Sequence, residues 1–568
     1  QRGSTAEDAT LDKVLTANIS VQKRQPIVVI SADAKYCYDC VNLCIMALVW
    51  LVLVQHFGAI YVTFLCLSSM KFFQRTGYGD STTYFGGEGL TKWIMGLGQG
   101  NRAAPPSWVQ LSSVLVCILR DMGMGAQIED PFTREIIHTI GALFVDDTDL
   151  YVWKEYLRSG AALWPVAQEE LAWWGRLIIA TGGGLKAEKS FSSLLDYECV
   201  DGEWQILEHV DLPPLLVPNA DGTWTEINSV SPMDASNTLG TMTSLARGSG
   251  AQLTKLREKF DEWLKRMKNG HLPAHMGWVA YRLQLWPGLR FGIGTMTNDL
   301  EAATSVFEGT DYKLLNILGI AKTVKTGWRR IHTTFGGFGI LSFPIEQLIC
   351  RLNLLLQHYH TGSALSRKLD VSFRLLQLQL ETPYSPITLP YAVWSVYVPL
   401  CWVKVLWEGA QFCHVNLHLR YDEMPFPRGG DRVVMELIHE RVARHEDRLS
   451  LARVRGKLKV IFLSDMVTAC GRYIEHFALH PECEEDSNSR LQFPREEPTA
   501  QDWKVWCEFW RVYTDEGDKL SVPLGAWKDA THRQWKWFYD EEKGALCELT
   551  SEGTYYYVPI RGTRTRSG

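Results

Sequence analysis

The sequence predicts an α+β fold, and three features of its 568 residues indicate this class. Residues 27–32 form a β-branched apolar run, typical of a buried strand, which ends at Asp33. Residues 139–153 hold two short apolar runs joined by a tight acidic turn, which predicts a β-hairpin. Residues 240–385 are dominated by apolar positions at helical spacing, so a largely helical region is expected to follow the sheet.

The residues before the hairpin predict helices on both sides of the first strand. Ser4 and Thr5, followed by Glu7 and Asp8, are a helix-start signal, so a helix is expected over residues 9–21. Residues 41–67 are almost continuously apolar and long enough to span a bilayer. Gln55, His56 and Gly58 interrupt this run near its middle, which favours two core helices and leaves a membrane span as a distant alternative.

The acidic turn of the hairpin carries the adjacent carboxylates of Asp146 and Asp147. Two neighbouring negative charges repel each other, and a divalent cation would offset that repulsion. Carboxylate oxygens are hard ligands that suit Mg²⁺. The turn is therefore either a metal-binding hairpin or an ordinary solvated acidic turn.

The order of the motifs favours the metal-binding reading. A lone Asp33 at a strand end is followed by a glycine-rich turn containing Gln99 and Gly100, then by the Asp-Asp hairpin. Three glycines then precede Leu185, and Lys189 follows. This series resembles motifs A to D of the reverse transcriptase palm, and non-LTR retrotransposon polymerases most closely. The ordered motifs cover roughly residues 1–200, and the resemblance is looser beyond them.

The resemblance implies a right-hand polymerase with an α+β palm, truncated fingers, a helical thumb and an additional C-terminal α/β domain. The expected division of the chain is a remnant of the fingers (1–25), a palm with motifs A–E (26–235), a helical thumb and connection (236–385), a tryptophan-rich C-terminal domain (386–560) and a basic tail (561–568).

The resemblance also implies two Mg²⁺ or Mn²⁺ ions bridged by Asp33 and Asp146. Successive strand residues point to opposite faces, so Asp147 is expected to be the secondary ligand.

Five further residues are candidates for a role in substrate binding or catalysis. Tyr38 stands where a bulky side chain would exclude a 2′-hydroxyl, although a core tyrosine is the alternative. Gln99 and Gly100 match the turn that approaches nucleotide and template, where glycine permits close approach. Lys189 is the candidate proton donor to departing pyrophosphate. Arg75 is a candidate phosphate contact, with a surface arginine as the favoured alternative.

The function that follows is RNA-directed DNA synthesis by a non-LTR-type retroelement, with an RNA template, a DNA primer and deoxynucleoside triphosphates as partners. A viral RNA-dependent RNA polymerase is an alternative, but Tyr38 and the Phe-Val-Asp-Asp sequence of residues 144–147 speak against it. A catalytically inactive nucleic-acid-binding relative is another. Only 32 residues precede Asp33, so the fingers are mostly missing. Palm chemistry can be intact in a fragment that cannot polymerise alone.

Composition agrees with an intracellular protein, nuclear or cytoplasmic, without stable membrane association. The 13 scattered cysteines argue against a disulfide framework, and the start at Gln1 suggests a piece of a longer product. The net charge of −6 is unusual for a nucleic-acid enzyme, although basic residues cluster at 255–268, 322–330 and 441–459.

Cys470, His476, His480 and Cys483 fit no regular zinc spacing, so zinc is not expected there. The C-terminal tryptophans either stack on bases or form a core.

Overall fold

The computed structural model describes residues 5–35, 38–53, 56–87, 96–98, 101–145, 147–209, 211–307, 311–419, 423–480, 491–515, 517–528, 537–540, 545–550 and 553–557. Its helices are α1 (Ala6–Lys23), α2 (Leu43–Leu53), α3 (Phe57–Ser68), α4 (Ala104–Asp121), α5 (Gly160–Ala180), α6 (Gly250–Asn269), α7 (Ala274–Ala280), α8 (Trp286–Arg290), α9 (Leu300–Phe307), α10 (Asp311–Ile317), α11 (Thr326–Arg330), α12 (Phe343–His358), α13 (Ala364–Leu380), α14 (Tyr391–Trp394), α15 (Trp402–Phe412), α16 (Val434–Arg441), α17 (His445–Leu458), α18 (His476–Leu479) and α19 (Ala500–Tyr513).

Its strands are β1 (Ile27–Asp33), β2 (Lys71–Thr76), β3 (Gly79–Gly86), β4 (Ala126–Glu129), β5 (Ile136–Thr139), β6 (Gly141–Phe144), β7 (Asp147–Lys154), β8 (Phe191–Val200), β9 (Glu203–Leu207), β10 (Leu216–Pro218), β11 (Trp224–Glu226), β12 (Asn228–Ser229), β13 (Ser236–Thr238), β14 (Thr241–Thr243), β15 (Trp537–Asp540), β16 (Ala545–Thr550) and β17 (Gly553–Tyr557).

A mixed sheet organises the first 230 residues, so the predicted α+β class is confirmed. Its order is β12-β8-β1-β7-β4-β5, with β6 also paired to β7 and β9 to β8. Strand β1 lies between β7 and β8 and runs antiparallel to both. The β12–β8 and β4–β7 pairs are parallel. The predicted strand and acidic hairpin are thus neighbours in one sheet.

Strand β1 is covered on both of its faces, as its continuous apolar sequence predicts. Val28 and Ile30 belong to the core beneath α2, α4 and α5. Ile27 and Val29 belong to a second core that also contains residues of α1 and α13. Because both faces are buried, the position of Asp33 at the end of this strand is fixed by packing on two sides.

Helix α1 begins where the sequence signal predicts. Thr5 is its N-cap, and Thr5 and Asp8 satisfy each other's backbone N–H groups in a capping box. The helix packs against α13 and against β6. It therefore joins the sheet to the helical part of the chain.

The long apolar run divides near its middle into α2 and α3, as the interruption at Gln55 and His56 predicts. Both helices leave apolar side chains exposed, including Val52 and Phe57. In the part of the chain that the structure describes, no helix is both long and apolar enough to cross a bilayer.

One hydrophobic core runs through the C-terminal half. It contains Leu354 of α12 and Leu376 of α13 together with Trp407 of α15 and Trp506 and Trp510 of α19. Helices on both sides of residue 385 therefore share one core. Trp506 and Trp510 are fully buried, which makes them packing residues rather than exposed stacking surfaces.

Candidate active site

Strands β1 and β7 bring the predicted aspartates to one edge of the sheet. Asp33 is the last residue of β1, and its register partner is Asp147, the first residue of β7. Directly opposed residues of an antiparallel pair project on the same face. Ser31 and Asp149 form the next such pair on that face. Asp33, Asp147, Asp149 and Lys189 line a cavity of about 130 Å³, called here the aspartate cleft.

Val145 lies at the tip of the hairpin, because the preceding residue, Phe144, pairs directly with Asp147. Val145 has φ 61°, the left-handed region that a β-branched residue rarely adopts. Its carbonyl accepts a hydrogen bond from the indole Nε1 of Trp108 in α4. Asp146 lies outside the described residues. A strained tip held in place by an indole is typical of a site where geometry matters more than stability.

We expect Val145→Asn to raise the free energy of unfolding by about 1 kcal/mol, because asparagine tolerates the left-handed conformation. The Trp108 bond is to the backbone and survives the change. Urea denaturation of both proteins measures the difference. A destabilised variant would mean that the Val145 side chain stabilises the tip by more than its strain costs.

Gly141, at the other end of β6, permits close approach of the paired strands. A Cβ added there would lie 1.9 Å from the carbonyl oxygen of Asp149. We expect Gly141→Ala to destabilise the protein by about 2–4 kcal/mol, because β6 must separate from β7 to make room. Thermal unfolding tests this, with Gly184→Ala as the control, since nothing lies within 4 Å of a Cβ at that glycine.

Two lysines meet the Asp33 carboxylate. Lys186 Nζ lies 3.1 Å from Oδ1, and Lys189 Nζ lies 4.0 Å from Oδ2. The backbone N–H of Lys186 donates to the Asp33 carbonyl at 2.9 Å, and the Asp33 N–H donates to Ser190 Oγ at 3.2 Å. The structure thus brings the predicted Lys189 to Asp33. Lys186 lies closer to the Asp33 carboxylate than Lys189 does. The sequence did not predict this contact, although Lys186 lies in the same motif as Lys189.

Asp149 lies on the same face of the sheet as Asp33, and two neighbouring side chains hold its carboxylate in place. Its carboxylate oxygens lie 3.1 and 3.0 Å from Nζ of the buried Lys13 in α1, and Ser31 Oγ donates to it. Lys13 also donates to Thr238 Oγ1 at 3.1 Å, which connects the β13–β14 hairpin to the cleft. Residues 237–239 of that hairpin line the cleft. No local signal could predict these contacts, because Lys13 and Asp149 are 136 residues apart.

Tyr38 lies near the hairpin tip. Its partly buried ring meets Trp108 edge-on with centroids 6.3 Å apart. Its carbonyl accepts from the N–H of Leu97 at 2.6 Å. A Cβ at Gly96 would lie 2.5 Å from the Asp39 carbonyl oxygen, so the glycine-rich turn approaches the Tyr38 segment closely. The predicted Gln99 and Gly100 lie outside the described residues.

Arg75 lies away from this arrangement, on the exposed β2–β3 hairpin. Its guanidinium makes bonds of 2.7 and 3.2 Å to the two carboxylate oxygens of Asp80, and it does not line the aspartate cleft. The Arg75 side chain is 83% exposed. These surroundings are those of a surface arginine, which was the favoured alternative. A contact of Arg75 with phosphate stays a prediction.

The described part of the chain contains no group of three or more His, Cys, Asp or Glu side chains placed to hold a metal ion. Asp33 and Asp147 nevertheless supply two opposed carboxylates at this edge of the sheet. This donor set suits a hard divalent cation. In the C-terminal cluster, the rings of His476 and His480 stack with centroids 3.8 Å apart, and Cys483 lies outside the described residues.

The basic residues of α17 have protein partners. Arg453 pairs with Asp502 at 2.7 Å and with Glu203 at 3.0 Å, and the buried Arg455 pairs with Glu381. These contacts join elements of the fold and account for part of the 441–459 cluster.

No protein-family model matches the sequence, and no curated protein matches it. Among solved structures, the chain is similar to telomerase from Candida albicans in complex with a fragment of telomeric RNA, with a TM-score of 0.29 and 11% identity. The match covers 66% of this chain and 52% of that one, so it spans about half of that protein. A likeness this low carries no argument about fold or function.

Proposed function

We propose that this chain carries the palm of an RNA-directed DNA polymerase of a non-LTR-type retroelement, which extends a DNA primer on an RNA template. The observation that supports this most directly is the pairing of Asp33 with Asp147 at one edge of the sheet. The left-handed backbone of Val145 adjoins that pair, because Phe144 pairs directly with Asp147. The proposed setting is intracellular, nuclear or cytoplasmic, without stable membrane association.

Two Mg²⁺ or Mn²⁺ ions would be held by Asp33 and Asp146 with Asp147 beside them, and when bound they activate the primer 3′-hydroxyl and stabilise the leaving pyrophosphate. The chain's own residues do the positioning. Lys186 fixes the Asp33 carboxylate at 3.1 Å, and Asp149 with Lys13 anchors the strand beneath. Lys189 is 62% exposed and borders the cleft, where it can give a proton to departing pyrophosphate.

Tyr38 is proposed to exclude the 2′-hydroxyl of the incoming nucleotide. We expect Tyr38→Ala to raise ribonucleotide incorporation relative to deoxynucleotide by at least about tenfold, because removing a steric barrier restores about 1.4 kcal/mol or more. Competition assays with both triphosphates measure the ratio. Tyr61→Ala, at an exposed tyrosine of α3, is the control. An unchanged ratio would make Tyr38 a packing residue, and ribonucleotide preference by the wild type would favour an RNA-dependent RNA polymerase.

The decisive experiment is primer extension on poly(rA)–oligo(dT) with dTTP and either Mg²⁺ or Mn²⁺. The chain is compared with its Asp146→Ala variant. Extension that vanishes in the variant supports the polymerase and the metal role together. No extension by the unaltered chain with either metal rejects the proposal.

One observation favours a catalytically inactive, nucleic-acid-binding relative as the second candidate. The Lys186 ammonium lies 3.1 Å from Oδ1 of Asp33, so this carboxylate already has a positively charged partner. This candidate predicts RNA binding that Asp33→Ala leaves unchanged, with no extension under either metal.

A further inference from the structure

A groove lies in the helical region, between α7 with its continuation and the loop of residues 328–341. That continuation is a π-helical turn, Tyr281–Leu285, a geometry that often marks functional sites. Two cavities of about 430 and 580 Å³ share Arg282 and Thr333, so they adjoin. Together they are called here the aromatic groove, and its principal lining residues are Trp278, Arg282, Leu283, Arg290, His332 and Phe338.

The loop that forms one wall is held in a fixed shape. Its backbone N–H groups donate to carbonyls within the same segment, from Phe338 to Trp328 at 3.0 Å, Gly339 to Ile331 at 2.9 Å and Ile340 to Arg329 at 2.8 Å. Gly337 passes so close to Ile331 that an added Cβ would lie 2.1 Å from the Ile331 carbonyl oxygen. The wall is thus preformed, which lowers the entropic cost of binding a ligand.

Three large aromatic side chains of this loop are exposed to solvent. The exposed fractions are 52% for Trp328, 78% for Phe335 and 38% for Phe338. Exposed aromatic side chains clustered on a hydrogen-bonded loop are typical of a binding surface. Phe338 lines the groove itself, in the same cavity as Trp278 of α7.

The charge of the groove is cationic. The exposed Arg282 guanidinium lies 5.5 Å from the centre of the Trp278 ring. The exposed Arg290 lies 3.8 Å from Glu346. Among the described residues that line the two cavities, Glu346 carries the only carboxylate. Arginine beside flat aromatic rings is a combination suited to a ligand that carries both anionic groups and planar bases.

We propose that the aromatic groove binds an unpaired stretch of nucleic acid, with bases stacking against Phe338 and Trp278 and phosphates meeting Arg282 and Arg290. Stacking accepts any base, so this surface would bind single strands with little sequence preference. An acidic peptide would pair with the arginines but would place no planar group on the exposed ring of Phe338. The proposal stands on the groove's own residues and does not depend on catalysis at Asp33.

The test measures fluorescence anisotropy of fluorescein-labelled 15-nucleotide oligo(U) and oligo(dT) binding to the full chain. We expect Phe338→Ala to weaken binding about 5- to 100-fold, the range for loss of one stacked base. Arg282→Gln should weaken binding and lower the slope of log affinity against log salt by about 0.7, the value for one lost phosphate contact on a single strand. The matched controls are Phe412→Ala and Arg367→Gln, at exposed positions of α15 and α13, which should bind within twofold of the wild type.

Crosslinking with 4-thiouridine oligonucleotides, read by mass spectrometry, locates the contact directly. Crosslinks within residues 274–290 or 326–341 are expected, and crosslinks confined to residues 26–235 would overturn the proposal. It is also overturned by no binding to the wild type, by groove variants that bind within twofold, or by equal losses in the controls. Asp33→Asn separates it from the polymerase proposal, because that variant should lose extension while keeping both the affinity and the crosslinks. Matching thermal midpoints confirm that each variant is folded.

Discussion

Asp33→Asn is expected to abolish primer extension while leaving the fold and RNA affinity unchanged. The substitution keeps the size of the side chain and removes only its negative charge. The register places that charge directly opposite Asp147, beside the turn that holds Asp146. If these carboxylates hold the ions that stabilise charge in the transition state, losing one removes stabilisation that no neighbouring group replaces.

The expected loss is about 100- to 1,000-fold in extension rate, or about 3–4 kcal/mol of transition-state stabilisation. Primer extension with dTTP measures the rate, and anisotropy measures the RNA affinity. Asp80→Asn is the matched control, because Asp80 also pairs with a basic side chain, Arg75, but lies on the exposed β2–β3 hairpin. If Asp33→Asn retained a third or more of the wild-type rate, the chemistry could not be centred on the aspartate cleft.

A comparison of Asp146→Asn with Asp147→Asn then ranks the two hairpin aspartates. Strand alternation predicts that Asp147 is the secondary ligand, whereas the register sets Asp147 directly across from Asp33. The alternation argument predicts the larger loss in Asp146→Asn. Equal losses would show that both carboxylates are engaged, as the register allows.

The parts of the fold that the sequence predicted are those governed by local patterns. Strand β1 follows from a continuous β-branched run, and the β6–β7 hairpin from two apolar runs around an acidic turn. Helix α1 begins at the predicted cap, and the apolar run divides where Gln55 and His56 interrupt it.

The contacts that sequence reasoning missed join residues far apart in the chain. Trp108 holds the Val145 carbonyl, and Lys13 holds Asp149, and neither partner leaves a periodic signal in the sequence. The basic clusters in the sequence wrongly suggested phosphate ligands for a related reason, because the acidic partners of these residues are also distant in the chain. A basic residue such as Arg455 looks like a phosphate ligand until packing places Glu381 beside it. Local chemistry names the candidate groups, and tertiary packing decides which partner each one meets.

The second large effect is expected from a buried ion pair that joins α1 to α13. Lys368 is fully buried, and its Nζ lies 2.8 Å from both carboxylate oxygens of Asp12 and 2.9 Å from Thr16 Oγ1. The same ammonium lies 5.0 Å from the ring centre of Tyr151 on β7, two residues beyond Asp149. We expect Asp12→Asn to cost about 3–5 kcal/mol of unfolding free energy at pH 7, because it leaves a buried ammonium without its counter-charge.

The pH dependence of the unfolding free energy distinguishes an unpaired buried ammonium from a packing defect. Burial lowers the pKa of Lys368 below its usual value of 10.5, and losing Asp12 must lower that pKa further. Between the folded pKa and 10.5 the unfolded chain binds more protons than the folded chain, so stability rises with pH across that window. Urea denaturation should therefore show Asp12→Asn recovering part of its loss between pH 7 and pH 10, more steeply than the wild type does.

The double variant Asp12→Asn with Lys368→Met completes this test, since it removes both charges and keeps a side chain of similar length. It should regain at least about 2 kcal/mol relative to Asp12→Asn alone, because no unpaired ion remains buried. Asp261→Asn is the control. It breaks a half-exposed pair with Arg257 on α6 and a longer contact with Lys313, and it should cost at most about 1 kcal/mol. If Asp12→Asn cost no more than Asp261→Asn, Lys368 would not be held as a buried ammonium. The contact between α1 and α13 would then depend on apolar packing and on buried hydrogen bonds such as the one from Gln22 Nε2 to Gln379 Oε1.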